Sequence, residues 1–191
     1  MRLFVALEIP SAVRDNFAAL IDDLRKADAS SSRRGARWVR PENLHVTLKF
    51  IGHVDAAKLD SLCAALAPVR SDSPLDVDFR SLGFFPSEKR PRVLWVGAKT
   101  SPNLAALATD IDKQLEPLGI PRETREFTPH LTLARFDPPG ISEKLRGAAQ
   151  KTLHREFGKL RTNEFHLIES KTKPAGAEYT TLQSFRFTAE V

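Results

Sequence analysis

The chain has 191 residues, 41% of them hydrophobic and 28% charged, a mixture that can bury a core, so disorder is excluded and one domain, or two small lobes sharing a core, is implied. Twenty-nine Lys and Arg against 24 Asp and Glu favour an anionic partner without naming it. No apolar run approaches the ~18 residues of a membrane span, Glu8 and Pro10 arrive too early for a signal peptide, and the single cysteine, Cys63, can form no internal disulfide, so the expected location is the cytoplasm.

In chain order, an apolar strand over 2–9 stops at Pro10, and Ser11 caps a helix over 12–26 in which Val13, Phe17, Leu20, Ile21 and Leu24 recur at helical spacing. A Ser/Arg/Gly loop at 30–35 leads to short strands at 36–39 and 44–51, the second ended by Gly52, and Asp55 caps a helix reaching Leu66. On this helix Cys63 lies beside Leu62 and Leu66 as ordinary packing. Strands near 75–82 and 92–98 flank a loop with Pro86 and Pro91, and a helix over 103–118 is ended by Gly119. A strand over 129–135 follows, then a helix from Ser142 to about His154, then strands at 163–170 and 182–190 joined by the Pro174 and Gly176 turn. Strands that follow one another directly predict an α+β chain with a largely antiparallel sheet. No linker divides it, so residues 1–191 are expected to form one domain in which any two lobes pack closely.

The informative feature is an internal repeat. Leu44-His45-Val46-Thr47-Leu48-Lys49-Phe50 and Pro129-His130-Leu131-Thr132-Leu133-Ala134-Arg135 share a His-x-Thr-Leu pattern at one offset of 85 positions (130 − 45). In a shuffled sequence two of five histidines would carry that pattern with a probability on the order of 10⁻³. On an extended strand His45 and Thr47 face one way and Val46 and Leu48 the other, and likewise His130 and Thr132 against Leu131 and Leu133. Each motif therefore offers an imidazole and a hydroxyl together, and a two-fold relation between the halves would bring both pairs to one cleft.

Two imidazoles across a cleft suit general acid–base chemistry at neutral pH, and hydroxyls beside them suit the non-bridging oxygens of a phosphoryl group. Strict alternation turns Phe50 and Arg135 away from the histidines. They reach the cleft only if the strand is bulged or ends there, or if they bend in from its rim. Arg135 would then pair with phosphate and Phe50 stack on a base, the alternative for Phe50 being the core. The bland reading of the motifs is two core strands with histidines bonded to backbone. A metal site lacks the Cys, Asp or Glu at ligand spacing that zinc requires, so no metal and no cofactor are expected. His53, His154 and His166 have no repeated partner, and no glycine-rich phosphate loop occurs. Basic residues thicken at 33–37, at Lys89 to Arg92 and at Arg122 to Arg125, all read as loops or strand edges.

Together with the opening Arg2-Leu3-Phe4-Val5-Ala6-Leu7, the run Trp38 to Leu44, Pro91 to Gly97, Phe127-Thr128-Pro129 and the ending Ser170 to Tyr179, the motifs resemble the two-histidine phosphoesterase superfamily. The resemblance is closest to the prokaryotic RNA 2′,3′-cyclic phosphodiesterases first named 2′-5′ RNA ligases, and it covers nearly the whole chain. It implies a LigT-like fold, bilobal with pseudo-two-fold antiparallel sheets, helices outside and a central cleft. It also implies a metal-independent hydrolysis of terminal 2′,3′-cyclic phosphates to 2′-phosphomonoesters, with His45 and His130 as the acid–base pair. In that role assignment Thr47 and Thr132 hold phosphate oxygens, Arg135 contacts phosphate or ribose, and Phe50 meets the base. The implied partners are RNA ends or nucleotides bearing a cyclic phosphate, bound by a monomer. Rival expectations are a sister enzyme acting on small cyclic phosphates such as an ADP-ribose derivative, and a non-catalytic module that binds RNA ends or nucleotides.

Overall fold

The structure, a computed structural model, describes residues 1–29, 36–153, 155–174 and 176–187. The predicted loop at 30–35, His154 and the last strand beyond residue 187 lie outside the described residues. Among the described residues nine strands and four α-helices follow in the order β1 (Arg2–Glu8), α1 (Ser11–Ala29), β2 (Ala36–Trp38), β3 (His45–His53), α2 (Leu59–Leu66), β4 (Leu75–Phe85), β5 (Val93–Thr100), α3 (Asn103–Leu115), β6 (His130–Phe136), α4 (Glu143–Gln150), β7 (Glu156–Thr162), β8 (Glu164–Lys173) and β9 (Gly176–Arg186). The element types match the sequence pattern, with three corrections. The last strand begins at Gly176 rather than 182, because Gly176 already pairs with Lys173 of β8. The helix at Ser142 ends at Gln150, short of His154. Strand β7 was not predicted, because Gly158, at φ 130°, interrupts the alternation of Phe157 and Leu160 with polar neighbours.

Every strand pairing among the described residues is antiparallel, in the order β7-β4-β5-β6-β3-β1-β8-β9, with β2 added to β6. Read outward from its centre, the sheet has two halves, β3-β1-β8-β9 and β6-β5-β4-β7. The halves exchange strands relative to the chain. Strand β4 follows α2 yet pairs with β5 and β7, and β8 follows β7 yet pairs with β1 and β9. Helices cross over as well: α1 packs with α4 and β7, and α3 packs with α2 and β3. Neither half of the sequence can therefore complete its own half of the sheet.

One face of the sheet carries the helices, because alternate strand residues are apolar: Leu3, Val5 and Leu7 on β1, Val46 on β3, Leu131 and Leu133 on β6 are buried against α1 and α3 residues such as Phe17, Leu104 and Ile111. Phe17 anchors one side of this core, fully buried, edge-on to Phe79 with ring centres 5.4 Å apart and 5.8 Å from Phe157. Cys63 is half-buried on α2 and packs against the core, and burial, then Asp60, raise its thiol pKa. Truncating Phe17 removes an aromatic ring shared by α1, β4 and β7, so Phe17→Ala is expected to cost about 3–5 kcal/mol in chemical denaturation.

Candidate active site

The two histidine strands meet in the middle of the sheet through one backbone pair, Val46 with Leu131. Both side chains are buried on the helix side, so the residues flanking them on each strand point to the opposite, open face. An antiparallel register with Val46 against Leu131 sets His45 across from Thr132 and Thr47 across from His130. Each imidazole thus stands beside the other repeat's hydroxyl.

Phe50 and Arg135 join that face through a matched pair of β-bulges. In the pairing of β3 with β1, Val5 meets Lys49 and Ala6 meets Thr47, leaving Leu48 unpaired. In the pairing of β6 with β5, Leu94 meets Ala134 and Trp95 meets Thr132, leaving Leu133 unpaired. The extra residue resets the alternation. Leu48 and Lys49, and likewise Leu133 and Ala134, are buried in succession, after which Phe50 and Arg135 emerge on the histidine side. Phe50 is 53% exposed, so it is not a core residue. Of the routes to the cleft left open by the sequence, the bulge is the one the chain takes.

Both histidines are oriented the same way. His45 Nδ1–H donates to the Asn43 carbonyl and His130 Nδ1–H to the Thr128 carbonyl, each at 2.8 Å. A carbonyl can only accept, so it selects the Nδ1–H tautomer and leaves each Nε2 with a lone pair. Burial lowers the pKa of both imidazoles. The carbonyl bonds oppose this, while the positive charge of Arg135 adds to it at both, and His130 lowers His45 further. Arg135 therefore stands in the electrostatic reach of both rings.

Aromatic side chains wall each imidazole. On the β1–β3 side Phe4 lies 4.7 Å from His45, Tyr179 packs edge-on at 5.3 Å, and Phe50 stacks on Phe4 with the Arg2 guanidinium over its ring at 5.1 Å. Tyr179 is placed by the β8–β9 hairpin, which is tethered near its turn, where the Ala177 carbonyl accepts from Asn43 Nδ2 at 2.7 Å and from Arg40 at 2.8 Å. On the β5–β6 side Phe85 and Trp95 stack 4.9 Å apart and meet His130 edge-on at 5.1 and 6.2 Å. The Trp95 indole lies across Gly83, where a Cβ would come within 2.2 Å of the ring. Only glycine admits it there.

The sequence motifs place His45 with Thr47 and His130 with Thr132, and the fold, through the two bulges, adds Phe50 and Arg135 to the same face. Their surroundings were less legible. Phe4 and Trp95 fall in predicted strands and Phe85 and Tyr179 in predicted connections, outside the two motifs, and the −2 position of each motif, Asn43 or Thr128, acts through its backbone carbonyl, which no residue type announces. His53 ends β3, and His166 is buried on β8 with Nδ1 2.9 Å from Ser184 Oγ. Among the described residues no three His, Cys, Asp or Glu side chains cluster as metal ligands, and no helix is long and apolar enough to cross a membrane.

A curled antiparallel sheet with paired histidine–threonine motifs at its central seam places the chain in one structural class, shared by solved phosphoesterases. The protein TT0787 of Thermus thermophilus superposes with a TM-score of 0.75 at 32% identity over 98% of each chain, and E. coli LigT complexed with 3′-AMP with 0.73 at 26% over 97% of each. The LigT like phosphoesterase family model matches twice, over residues 7–95 and 96–179, and the chain belongs to that family. An RNA 2′,3′-cyclic phosphodiesterase of Methanothermobacter thermautotrophicus is 32% identical over 187 residues, 97% of this chain and 98% of the relative.

By NMR at pH 8 both His45 and His130 are expected to show the nitrogen shifts of the Nδ1–H tautomer and, on acidification, to titrate below the ordinary histidine value of ~6.5.

Proposed function

We propose that the protein is an RNA 2′,3′-cyclic phosphodiesterase that opens terminal cyclic phosphates to 2′-phosphomonoesters without a metal. The observation that carries this reading is the pair of Nδ1–carbonyl bonds, which present one Nε2 from each repeat to a shared face lined by both threonines and Arg135. The family, and curated RNA 2′,3′-cyclic phosphodiesterases that match over nearly the full length, support the same assignment, as does the complex of a fold relative with 3′-AMP.

In this mechanism the cyclic phosphate lies between the imidazoles. His130 Nε2 takes a proton from water as its oxygen attacks phosphorus, the P–O3′ bond breaks, and His45, as imidazolium, gives its Nε2 proton to O3′. The Asn43 and Thr128 carbonyls hold the two rings while their charges change. Thr47 and Thr132 donate to the non-bridging oxygens, and Arg135 offsets the charge that gathers on them. Phe50, exposed and backed by Phe4, offers a face to the base. With a 5′-hydroxyl in place of water, the same step leaves a 2′-5′ linkage. Both histidines and both threonines come from one chain, which supports a monomer, and the single cysteine fits the cytoplasm.

An RNA ending in a 2′,3′-cyclic phosphate, incubated with the protein in excess EDTA, is expected to yield a 2′-phosphate. His45→Ala and His130→Ala should each lower turnover by roughly 10²–10⁴-fold. An undiminished rate in either variant, or turnover that only a divalent cation restores, overturns the reading.

The pH dependence follows from the depressed imidazoles. In the free protein at neutral pH both rings are neutral, whereas the acid must carry a proton. kcat/KM should therefore rise as pH falls toward the pair's values, below ~6.5, and drop once the base is protonated too. Arg135 lowers both rings. Removing its charge raises them, so the bell of Arg135→Gln, reduced in height, should move to higher pH. A bell that stays in place would separate Arg135 from the histidines.

A further inference from the structure

We propose that Lys49 is a positioning residue for His130, the histidine of the other repeat. The bulge that turns Phe50 outward turns Lys49 inward, where its side chain is 5% exposed. There Lys49 Nζ donates to Asp112 Oδ1 on α3 and, at 2.6 Å, to the Pro121 carbonyl. Asp112 uses its other oxygen to accept the Glu123 backbone N–H at 3.0 Å. One buried charge pair on the back of β3 thus holds two points of the segment that leads into the second motif.

That segment needs holding. Residues 121–129 form neither helix nor strand, and 121–126 are exposed. Phe127 packs against the core, and a cavity of about 260 Å³ is bordered by Lys49 and Asp112 as well as by Arg122, Glu123 and Phe127. The segment is therefore not fixed by close packing along its length. Its end supplies the Thr128 carbonyl that orients His130. The strands carrying the two motifs share one backbone pair, and Lys49 adds a second connection between them, from β3 to the approach of β6.

The same position in the second repeat is Ala134, buried without a polar group. The bulge alone therefore does not require a lysine. Stability does not require it either, since buried ion pairs replaced by apolar residues of similar volume are often neutral or stabilising. The tie is also one-sided. His45 takes its acceptor from Asn43, whose side chain is bonded to the Ala177 carbonyl, so loss of Lys49 should disturb His130 and spare His45.

The experiment compares wild type, Lys49→Met and the double variant Lys49→Met/Asp112→Leu, which removes both charges and leaves neither orphaned. The first readout, imidazole nitrogen shifts at pH 8, is independent of activity. In both variants His130 should become a mixture of tautomers while His45 keeps Nδ1–H. The second, which rests on the acid–base reading, is the hydrolysis of a cyclic mononucleotide. kcat should fall on the order of tenfold or more with KM within about twofold, because displacement of a reacting group by about 1 Å is enough. The double variant should recover the melting temperature but neither the tautomer nor kcat. If it recovers all three, Lys49 merely satisfies a buried charge and the proposal fails. It fails also if His130 remains Nδ1–H in both variants. Should Lys49→Met not fold, the double variant carries the comparison. A wild type without turnover would refute the acid–base reading, and the tautomer readout would still decide the role of Lys49.

Discussion

The site depends on one backbone pairing, Val46 against Leu131, where two strands from different halves of the chain meet at the centre of the sheet. Since side chains alternate across a strand, burying this pair on the helix side commits His45, Thr47, His130 and Thr132 to the open face. A slip of one residue on either strand would bury a histidine and expose a valine or leucine. The hydrophobic cost of that slip protects the register of the four motif side chains, so core packing and site geometry are enforced by the same contact.

Symmetry then supplies parts in pairs, and the bulges make the pairs unequal. Leu48 and Leu133 are bulged at equivalent positions, but the residues that emerge beyond them are an aromatic ring in one repeat and a guanidinium in the other. One half of the face gains a surface for stacking, and the other a fixed cation. The inward residues differ in the same way, a lysine tied to α3 and an alanine. A duplicated scaffold thus becomes a directional site without departing from its backbone pattern.

The electrostatics have a consistent physical origin. Aromatic walls and neighbouring strands strip water from both imidazoles, which disfavours their charged forms, and Arg135 disfavours them further. In the proposed mechanism an anionic phosphate between the rings acts in the opposite direction. Ligand charge, rather than solvent, then governs protonation, which is the condition under which two chemically identical side chains can take opposite roles.

The sequence by itself determined the elements and the motifs. Helical spacing in α1, the glycine after α3 and the apolar alternation around each histidine are local signals, and local sterics and solvation suffice to read them. The repeat also placed His45 with Thr47 and His130 with Thr132, since a strand allows no other arrangement. The strand β7 escaped notice because Gly158 breaks its period, and the helix at Ser142 appeared too long because nothing local stops it at Gln150. Strand alternation turned Phe50 and Arg135 away from the histidines, and only the family resemblance assigned them to the site. A bulge is a disagreement in length between paired strands, and its position depends on residues of β1 and β5 far away in sequence. The strand exchange between halves and the Lys49–Asp112 pair were likewise decided only by tertiary structure, because each joins groups whose separation in sequence carries no energy until the chain has folded; the carbonyl partners of the histidines lie only two residues away, but a backbone acceptor is marked by no residue type.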